Sequence, residues 1–459
     1  MKSRRDLLVS TLAQIGSGGV LGVALLPVAG CSGWFPGSKP SQALTVVVPT
    51  GGQNPEVKEA VAAAIERALP GVNGAAGGRY TLDVLELPVP SPSSDRPFPS
   101  QASLLAPLLG AGTPPDIVTL VSLPNTGHPP SELTEAAGLK FLVPLDAHLK
   151  RERALSLNDF YPAALDSCRQ QGQLLGVPLM AVPMLLLYDT HLFGEAGIAP
   201  PASDWNWRRF LETARRLTRD TDGDGTPDQY GFWPFAGNGT LLSLIWQNGG
   251  DVISADKKRA LLTEPAARGA IEFFAGLYHG DSVCPPAHVA AQFTFGPNGM
   301  RYGGRWGVGM AYSPGATWFS PSGTRIAGAE LPQGTQRATA LAVTSTLSIT
   351  SKTKDQPLTA AAFAALAEHV TRTMAPPPRR VPSAAIQALE PGFTPTIARP
   401  IMASLEYSRS IALDDPRRLT ELHREVTNRL VIPLQRGTRT PVEASKDAND
   451  AIQAVLDRS

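Results

Sequence analysis

Six of the chain's seven tryptophans, Trp205, Trp207, Trp233, Trp246, Trp306 and Trp318, fall between residues 205 and 318. A ligand with an apolar face and a polar rim needs a flat aromatic face flanked by carboxylate, amide or guanidinium groups. Trp306, next to Arg305 in a glycine-flanked turn, meets that need best, and Trp233 within Gly231-Phe-Trp-Pro-Phe235 comes second. The alternative for each is a core tryptophan with its N–H satisfied. Trp246, on an apolar helix face, and Trp207 read that way. Polar groups come from earlier in the chain: Gln53 and Asn54 in the turn after the first strand, Ser122 and Asn125 in the loop after the third. Those are strand C-terminal ends, where open parallel sheets bind ligands. Ordinary capping and turn chemistry is the competing reading for any one of them.

Asp220-Thr-Asp222-Gly-Asp224-Gly225-Thr-Pro-Asp228 has the spacing of a calcium loop, with carboxylates at positions 1, 3, 5 and 9 and glycine at 6. Position 12 is Gly231, so the closing bidentate glutamate is missing. The segment is either a calcium site completed by a remote carboxylate or a solvated acidic turn. His279, Cys284 and His288 match no zinc spacing. There is no nucleophile elbow, Walker A loop, dinucleotide fingerprint or H-E-x-x-H. Glu86, Glu212 and Glu272 would serve glycoside hydrolysis only if paired in space. No catalytic residue is expected, and no cofactor beyond calcium.

The 41 Lys+Arg and 40 Asp+Glu are scattered, leaving no electrostatic footprint for DNA or RNA. A length of 459 residues suggests two or three domains, and three cysteines exclude a disulfide scaffold. Residues 1–30 read as an export signal: a basic head (Lys2, Arg4, Arg5), an apolar stretch, then small residues. Ser3-Arg-Arg-Asp-Leu-Leu8 resembles a twin-arginine motif, and Val28-Ala-Gly-Cys31 resembles a lipobox that leaves Cys31 lipidated. An uncleaved membrane anchor is the alternative. Residues 31–42, rich in Ser, Gly and Pro, then form a tether.

The elements that must position these residues alternate. Ala43–Val48, Tyr80–Leu87 and Asp116–Val121 read as strands, separated by helices over Glu56–Leu69, stopped by Pro70, and Gln101–Leu109, halted by Gly110. Such alternation implies a parallel, doubly wound sheet. Leu174–Leu187 is a long apolar run broken by Pro178 and Pro183, suited to strands crossing between domains. Helices follow at Trp207–Leu217, Thr240–Gln247 and Pro265–Tyr278, then a Ser/Thr-rich strand at Ala338–Thr350, and helices at Leu358–Thr373 and Pro441–Leu456.

Several pieces, in order, resemble the sugar-binding branch (family 1) of the extracellular solute-binding proteins of ABC importers. They are Pro115-Asp-Ile-Val118, Leu142-Val-Pro-Leu-Asp146, Gly172-Gln-Leu-Leu-Gly-Val-Pro178 with Leu187-Tyr-Asp189 and Leu192-Phe-Gly-Glu-Ala-Gly197, Asp204-Trp205, Gln247-Asn-Gly-Gly250, Gly304-Arg-Trp306 and the Gly437–Leu456 segment. The resemblance implies an α/β fold of two lobes, each a mainly parallel sheet flanked by helices, closing on a ligand about hinge crossings. The crossings are expected near Val182–Met184, Leu331–Arg337 and Met374–Pro378. The N-terminal lobe is then 43–182 plus 336–373, and the C-terminal lobe 184–335 plus 374–459. Asn248 and Met184 join Trp306, Trp233, Arg305, Gln53, Asn54 and Ser122 as expected ligand contacts. At the hinge, Ala181-Val-Pro-Met184 is apolar where sugar binders often place polar groups. Cys168 and Cys284 fall in different lobes and are expected to be unpaired. The implied protein is a monomeric, lipid-anchored extracytoplasmic receptor that passes a carbohydrate or polyol to a permease. A secreted glycoside hydrolase and a binding lipoprotein turned to structural or signalling use are the alternatives.

Overall fold

The β-branched run ending at Val48 forms strand β1 (Gln42–Thr50), with Leu44 and Val46 to Val48 fully buried. The computed structural model describes residues 42–51, 55–89, 100–110, 112, 114–122, 131–234, 237–286, 294–296, 299–301, 305–312, 326–382, 385, 394–411, 413 and 415–458. The export signal, Cys31 and the tether up to residue 41 lie outside the described residues. The other strands are β2 (Tyr80–Pro88), β3 (Ile117–Val121), the hairpin β4 (Arg169–Gln170) and β5 (Gln173–Leu174), β6 (Val177–Asp189) and β7 (Gln229–Pro234). Then come the hairpin β8 (Thr294–Gly296) and β9 (Gly299–Arg301), β10 (Arg305–Tyr312), β11 (Ile326–Ala329), β12 (Thr339–Ile349) and β13 (Ser408–Arg409). The principal helices are α1 (Pro55–Ala75), α2 (Gln101–Leu109), α3 (Ser131–Gly138), α4 (Trp207–Leu217), α5 (Gly237–Gln247), α6 (Pro265–His279), α7 (Gln356–Thr373), α8 (Pro395–Leu405), α9 (Pro416–Glu425), α10 (Ile432–Arg436) and α11 (Pro441–Leu456).

Among the described residues the large sheet has the order β2-β1-β3-β12-β6-β10-β7, with β11 beside β6 and β13 beside β12. β1, β2 and β3 are parallel, as are β7 and β10. Two long strands join these groups. β6 pairs with β12 from Val177 to Pro183, then with β10 from Met184 to Tyr188. β12 pairs with β13 at Thr339 and Ala340, and with β3 from Ser345 to Ile349. The chain thus crosses at Pro183–Met184 and returns along β12 at Leu341–Thr344. That return lies beyond Leu331–Arg337, because the β11–β12 connection is held to the segment preceding α4 by Gln333 N–H donating to Trp205 O, and to α5 by Gln336 N–H donating to Gln247 O. A third passage follows α7, where Ala181 N–H donates to Pro376 O and Tyr161 N–H to Pro378 O.

Two buried clusters flank the crossing. One gathers β1 to β3, α1, α2, α7 and α8 and includes Cys168; the other gathers α4, α5, α6, α9 and α11 and includes Cys284. Both cysteines are free and buried. Consecutive β6 side chains divide between the clusters, Leu185 and Leu187 joining the first, Met184, Leu186 and Tyr188 the second. The apolar hinge run is therefore core on both faces. Gly231 and Gly307 lie beneath α4: a Cβ on Gly231 would sit 1.7 Å from Ala214 O, and one on Gly307 2.5 Å from Leu217 Cδ1. Helix α1 runs on through Pro70, which is exposed, to bury Val72. Tertiary burial here outweighs the lost N–H.

Candidate functional site

β3, β6 and the parallel strands β1 and β2 point one way; β10 and β7, antiparallel to β6, point back. β3 ends opposite Ser345 of β12, and β10 ends opposite Met184 of β6. The carboxyl ends of the two strand groups therefore face each other across the stretch spanned by β6 and β12. Ligands collect at the carboxyl ends of strands in open α/β sheets, and helix N-termini bring free N–H donors there.

On the first wall stand the N-terminal turns of α1, α2 and α3. Lys58 is only 3% exposed and donates to Gly51 O at 2.8 Å. Burial lowers its pKa, opposed by the nearby Glu132. The Glu132 carboxylate accepts from Gln101 N–H at 2.9 Å and Ala102 N–H at 3.3 Å, capping α2 from α3. Desolvation, aided by Glu135, pushes its pKa up to about 7 against the pull of those N–H groups and of Lys58. Gln101 clamps the end of β3, donating to Val121 O at 2.6 Å and accepting from Val121 N–H at 3.0 Å. Ser122 donates its N–H to Thr344 O at 2.7 Å and accepts from Glu132 N–H at 3.3 Å, so it ties the end of β3 to β12 and α3.

At the opposite side Trp233, near the end of β7, is 3% exposed and packs in the first buried cluster with Leu185 and Leu187. Trp233, Pro234, Tyr278, Pro285, Ile432, Gln435 and Arg436 line a cavity of about 210 Å³. Gln435 donates to the Tyr278 hydroxyl at 2.8 Å, and Asn238, in the first turn of α5, to Thr427 Oγ1 at 2.5 Å. Burial raises the Tyr278 pKa, so the phenol stays neutral. A wider groove of about 580 Å³ lies where α9 packs against α3, lined by Lys140, Gln170, Gln171, Gln173, Asp415 and Arg418 among others. It has no aromatic face, and its Arg418 is engaged with the carbonyls of Val455 and Leu456.

The family model for bacterial extracellular solute-binding proteins matches residues 97–368, more than half of the chain. The chain belongs to that family. Solved structures share the fold. The sugar-binding protein MalE from Xanthomonas citri is 18% identical with a TM-score of 0.65, covering 90% of this chain and 97% of that one. An ABC substrate-binding protein from Listeria monocytogenes in complex with cycloalternan is 16% identical (TM-score 0.62; 90% and 98% covered). UgpB from Mycobacterium tuberculosis in complex with glycerophosphocholine is 19% identical (TM-score 0.60; 92% and 99% covered). No curated protein matches the chain in sequence. No helix among the described residues is long and apolar enough to cross a membrane.

This solute-binding protein distributes the residues expected from its sequence unevenly. Ser122 and Trp233 stand at facing strand ends. Gln53, Asn54 and Asn125 lie outside the described residues, as does Trp318. Arg305 and Trp306 open β10, paired with Gln229 and Tyr230, whereas the facing end of that strand is Tyr312. Six residues at about 3.3 Å each put Trp306 roughly 20 Å along the strand from that end. Met184 is fully buried under α5, its sulfur 3.9 Å from Thr240 Oγ1 and 3.8 Å from Ser243 Oγ. Asn248 donates to Ala266 O at 2.8 Å, and Gly249, at φ +78°, terminates α5, with Gly250 close against Ala267. The Asn-Gly-Gly run is thus a helix stop. Trp246 donates to Asp251 at 2.9 Å beneath Arg409, and Trp207 stacks on Phe273 with centroids 4.4 Å apart. Both are packing residues.

In the acidic loop, Asp220, Asp222 and Asp224 hold carboxylate oxygens within 4.8 Å of one another, all exposed. Asp228 turns away to accept from Thr221 N–H at 2.9 Å and from its hydroxyl. Asp220 accepts from the N–H groups of Gly223 and Gly225, both at 2.7 Å, which holds its pKa down. Position 12 cannot carry a closing side chain, since Gly231 is pressed against Ala214. Three carboxylates therefore fit a calcium ion only in part. The sequence offers no local sign of Lys58 or Glu132, because burying a lysine on an amphipathic helix is decided by tertiary contacts.

Proposed function

We propose that this protein captures a carbohydrate between its two sets of facing strand ends and presents it to an ABC permease without making or breaking a bond. The observation that carries the reading is the convergence of both strand groups on one crossing, with Trp233 and its cavity on one wall and Lys58, Gln101 and Ser122 on the other. A cavity of about 210 Å³ with an indole, a phenol, an amide and a guanidinium suits one sugar ring. Oligosaccharide complexes among similar structures support that ligand class. Cys31 anchors the receptor outside the cytoplasm through lipid, and the receptor works as a monomer. Thermal denaturation against maltotetraose, cycloalternan and glycerophosphocholine tests this: a ligand at 100 times its Kd adds about 2.7 kcal/mol of stability. A rise with a saccharide, and the saccharide recovered intact, is expected. Cleaved saccharide would make the protein a hydrolase, and a response to glycerophosphocholine alone would replace the ligand class.

A further inference from the structure

The cavity of about 210 Å³ beside Trp233 is lined by one cation and, among the described residues, by no anion. The cation is Arg436, exposed in the last turn of α10, and its guanidinium has neither an ion pair nor a hydrogen bond among the described residues. Its neighbours along the chain differ. Arg424 pairs with Glu421, Arg429 with Glu425 and Asp447, and Arg439 with Asp447. The carboxylates of this corner are thus engaged by arginines outside the cavity, and Arg436 alone is turned to the cavity without a counter-ion. The remaining polar lining is also rich in donors. The Tyr278 hydroxyl accepts from Gln435 at 2.8 Å, which leaves its own O–H to donate, and Gln435 keeps its second amide hydrogen. Burial holds that phenol neutral, so it brings no negative charge. Gly237, opening α5, gives Gln435 its room, since a Cβ there would sit 3.1 Å from Gln435 Nε2.

A guanidinium is a planar fork of five donors with no acceptor, and its complement is an oxyanion that accepts from two of them at once. A sugar hydroxyl must donate as well as accept. The only side-chain acceptors lining this cavity are the Gln435 oxygen and the Tyr278 oxygen, and no carboxylate is there to take a hydroxyl proton. We propose that this cavity prefers an acidic sugar: the carboxylate or phosphate ester of the ring is taken by Arg436, with the Tyr278 hydroxyl and the Gln435 amide as further donors. Pro234 and Ile432 supply apolar surface for the ring itself. The proposal rests on the carbohydrate reading and deepens it by naming the charge of the preferred ring.

The test is titration calorimetry of the full chain with glucose, glucuronate and glucose 6-phosphate, and with maltotetraose as the check on the underlying reading. At least one of the two acids should bind roughly 10- to 100-fold more tightly than glucose, as expected for hydrogen bonds to a charged group. The acid that gains more identifies the oxyanion. Arg436→Gln should bring the acid and glucose within about twofold of each other. Arg417→Gln removes the same charge from an exposed position on α9 outside the cavity and should keep the wild-type preference. Both positions are exposed, so both unliganded variants should melt close to wild type. The wild-type preference should also shrink as salt rises from about 20 mM to about 0.5 M, a readout that needs no variant. Acids no tighter than glucose while maltotetraose binds, or a preference that survives Arg436→Gln, overturn the proposal and leave the carbohydrate reading standing. Wild-type protein that binds none of the four overturns both.

Discussion

Replacing Glu132 by glutamine should stabilise the protein at alkaline pH and do little in acid. In the folded chain the carboxyl titrates at about 7, against an ordinary value of 4.5. The attraction of Lys58 and the N–H groups of Gln101 and Ala102 are already contained in that value. A carboxyl raised on folding contributes stability that is whole below about pH 4.5 and is lost as pH climbs through about 7. At about 1.36 kcal/mol per pKa unit, the ionised group costs about 3 kcal/mol at pH 8. Glutamine keeps an oxygen to accept from Gln101 and carries no charge. With an unfolding entropy of about 2.1 cal/mol/K per residue over roughly 420 residues, the gain is a Tm rise of about 3–4 °C. Differential scanning calorimetry at pH 4.5 and pH 8 reads it: near-equal Tm at the lower pH, E132Q higher at the upper. An equal offset at both pH values, or E132Q melting lower at pH 8, would refute the assignment of burial as the dominant influence on this group.

Three further outcomes follow from the packing. G231A drives a methyl into the α4 backbone at Ala214, and equilibrium unfolding should show a loss of about 3 kcal/mol or more; a near-neutral result would mean α4 is free to lift away. R379A removes a buried guanidinium that donates to Asp159 at 2.6 Å and to Glu368 and lies over Phe160, and should cost about 3 kcal/mol in urea denaturation. With only three gathered carboxylates, calcium should bind the acidic loop no more tightly than about millimolar, so calorimetry at 0.1 mM calcium registers no heat and EDTA leaves Tm unchanged. Tight, Asp220-dependent binding would show that a remote ligand completes the shell.

Elements whose ends are set by local chemistry were legible in the sequence. α4 and α11 begin and end where their apolar spacing does, α11 sealed by the reciprocal Thr440–Glu443 capping box. α2 stops at Gly110 as expected. Pro70 misled because its side chain faces solvent in a helix held by tertiary burial. The site was less legible because register decides it. The sequence motifs rank Trp306 above Trp233, yet the parallel pairing of β7 and β10 puts Trp233 near the facing end and Trp306 at the far one. The Ser/Thr-rich character of β12 is plain in the sequence. That several of its hydroxyls are buried without partners is not, since tertiary packing decides it.

The proposed function requires that the two lobes close on a saccharide and release it unaltered. Dyes placed by E66C on α1 and K446C on α11, both exposed positions, report the interlobe distance, and the native Cys168 and Cys284 are too buried to label. Adding maltotetraose should give a saturable rise in energy transfer that reverses when the sugar is dialysed away intact. Sugar bound with no change in transfer, or recovered as fragments, would contradict it.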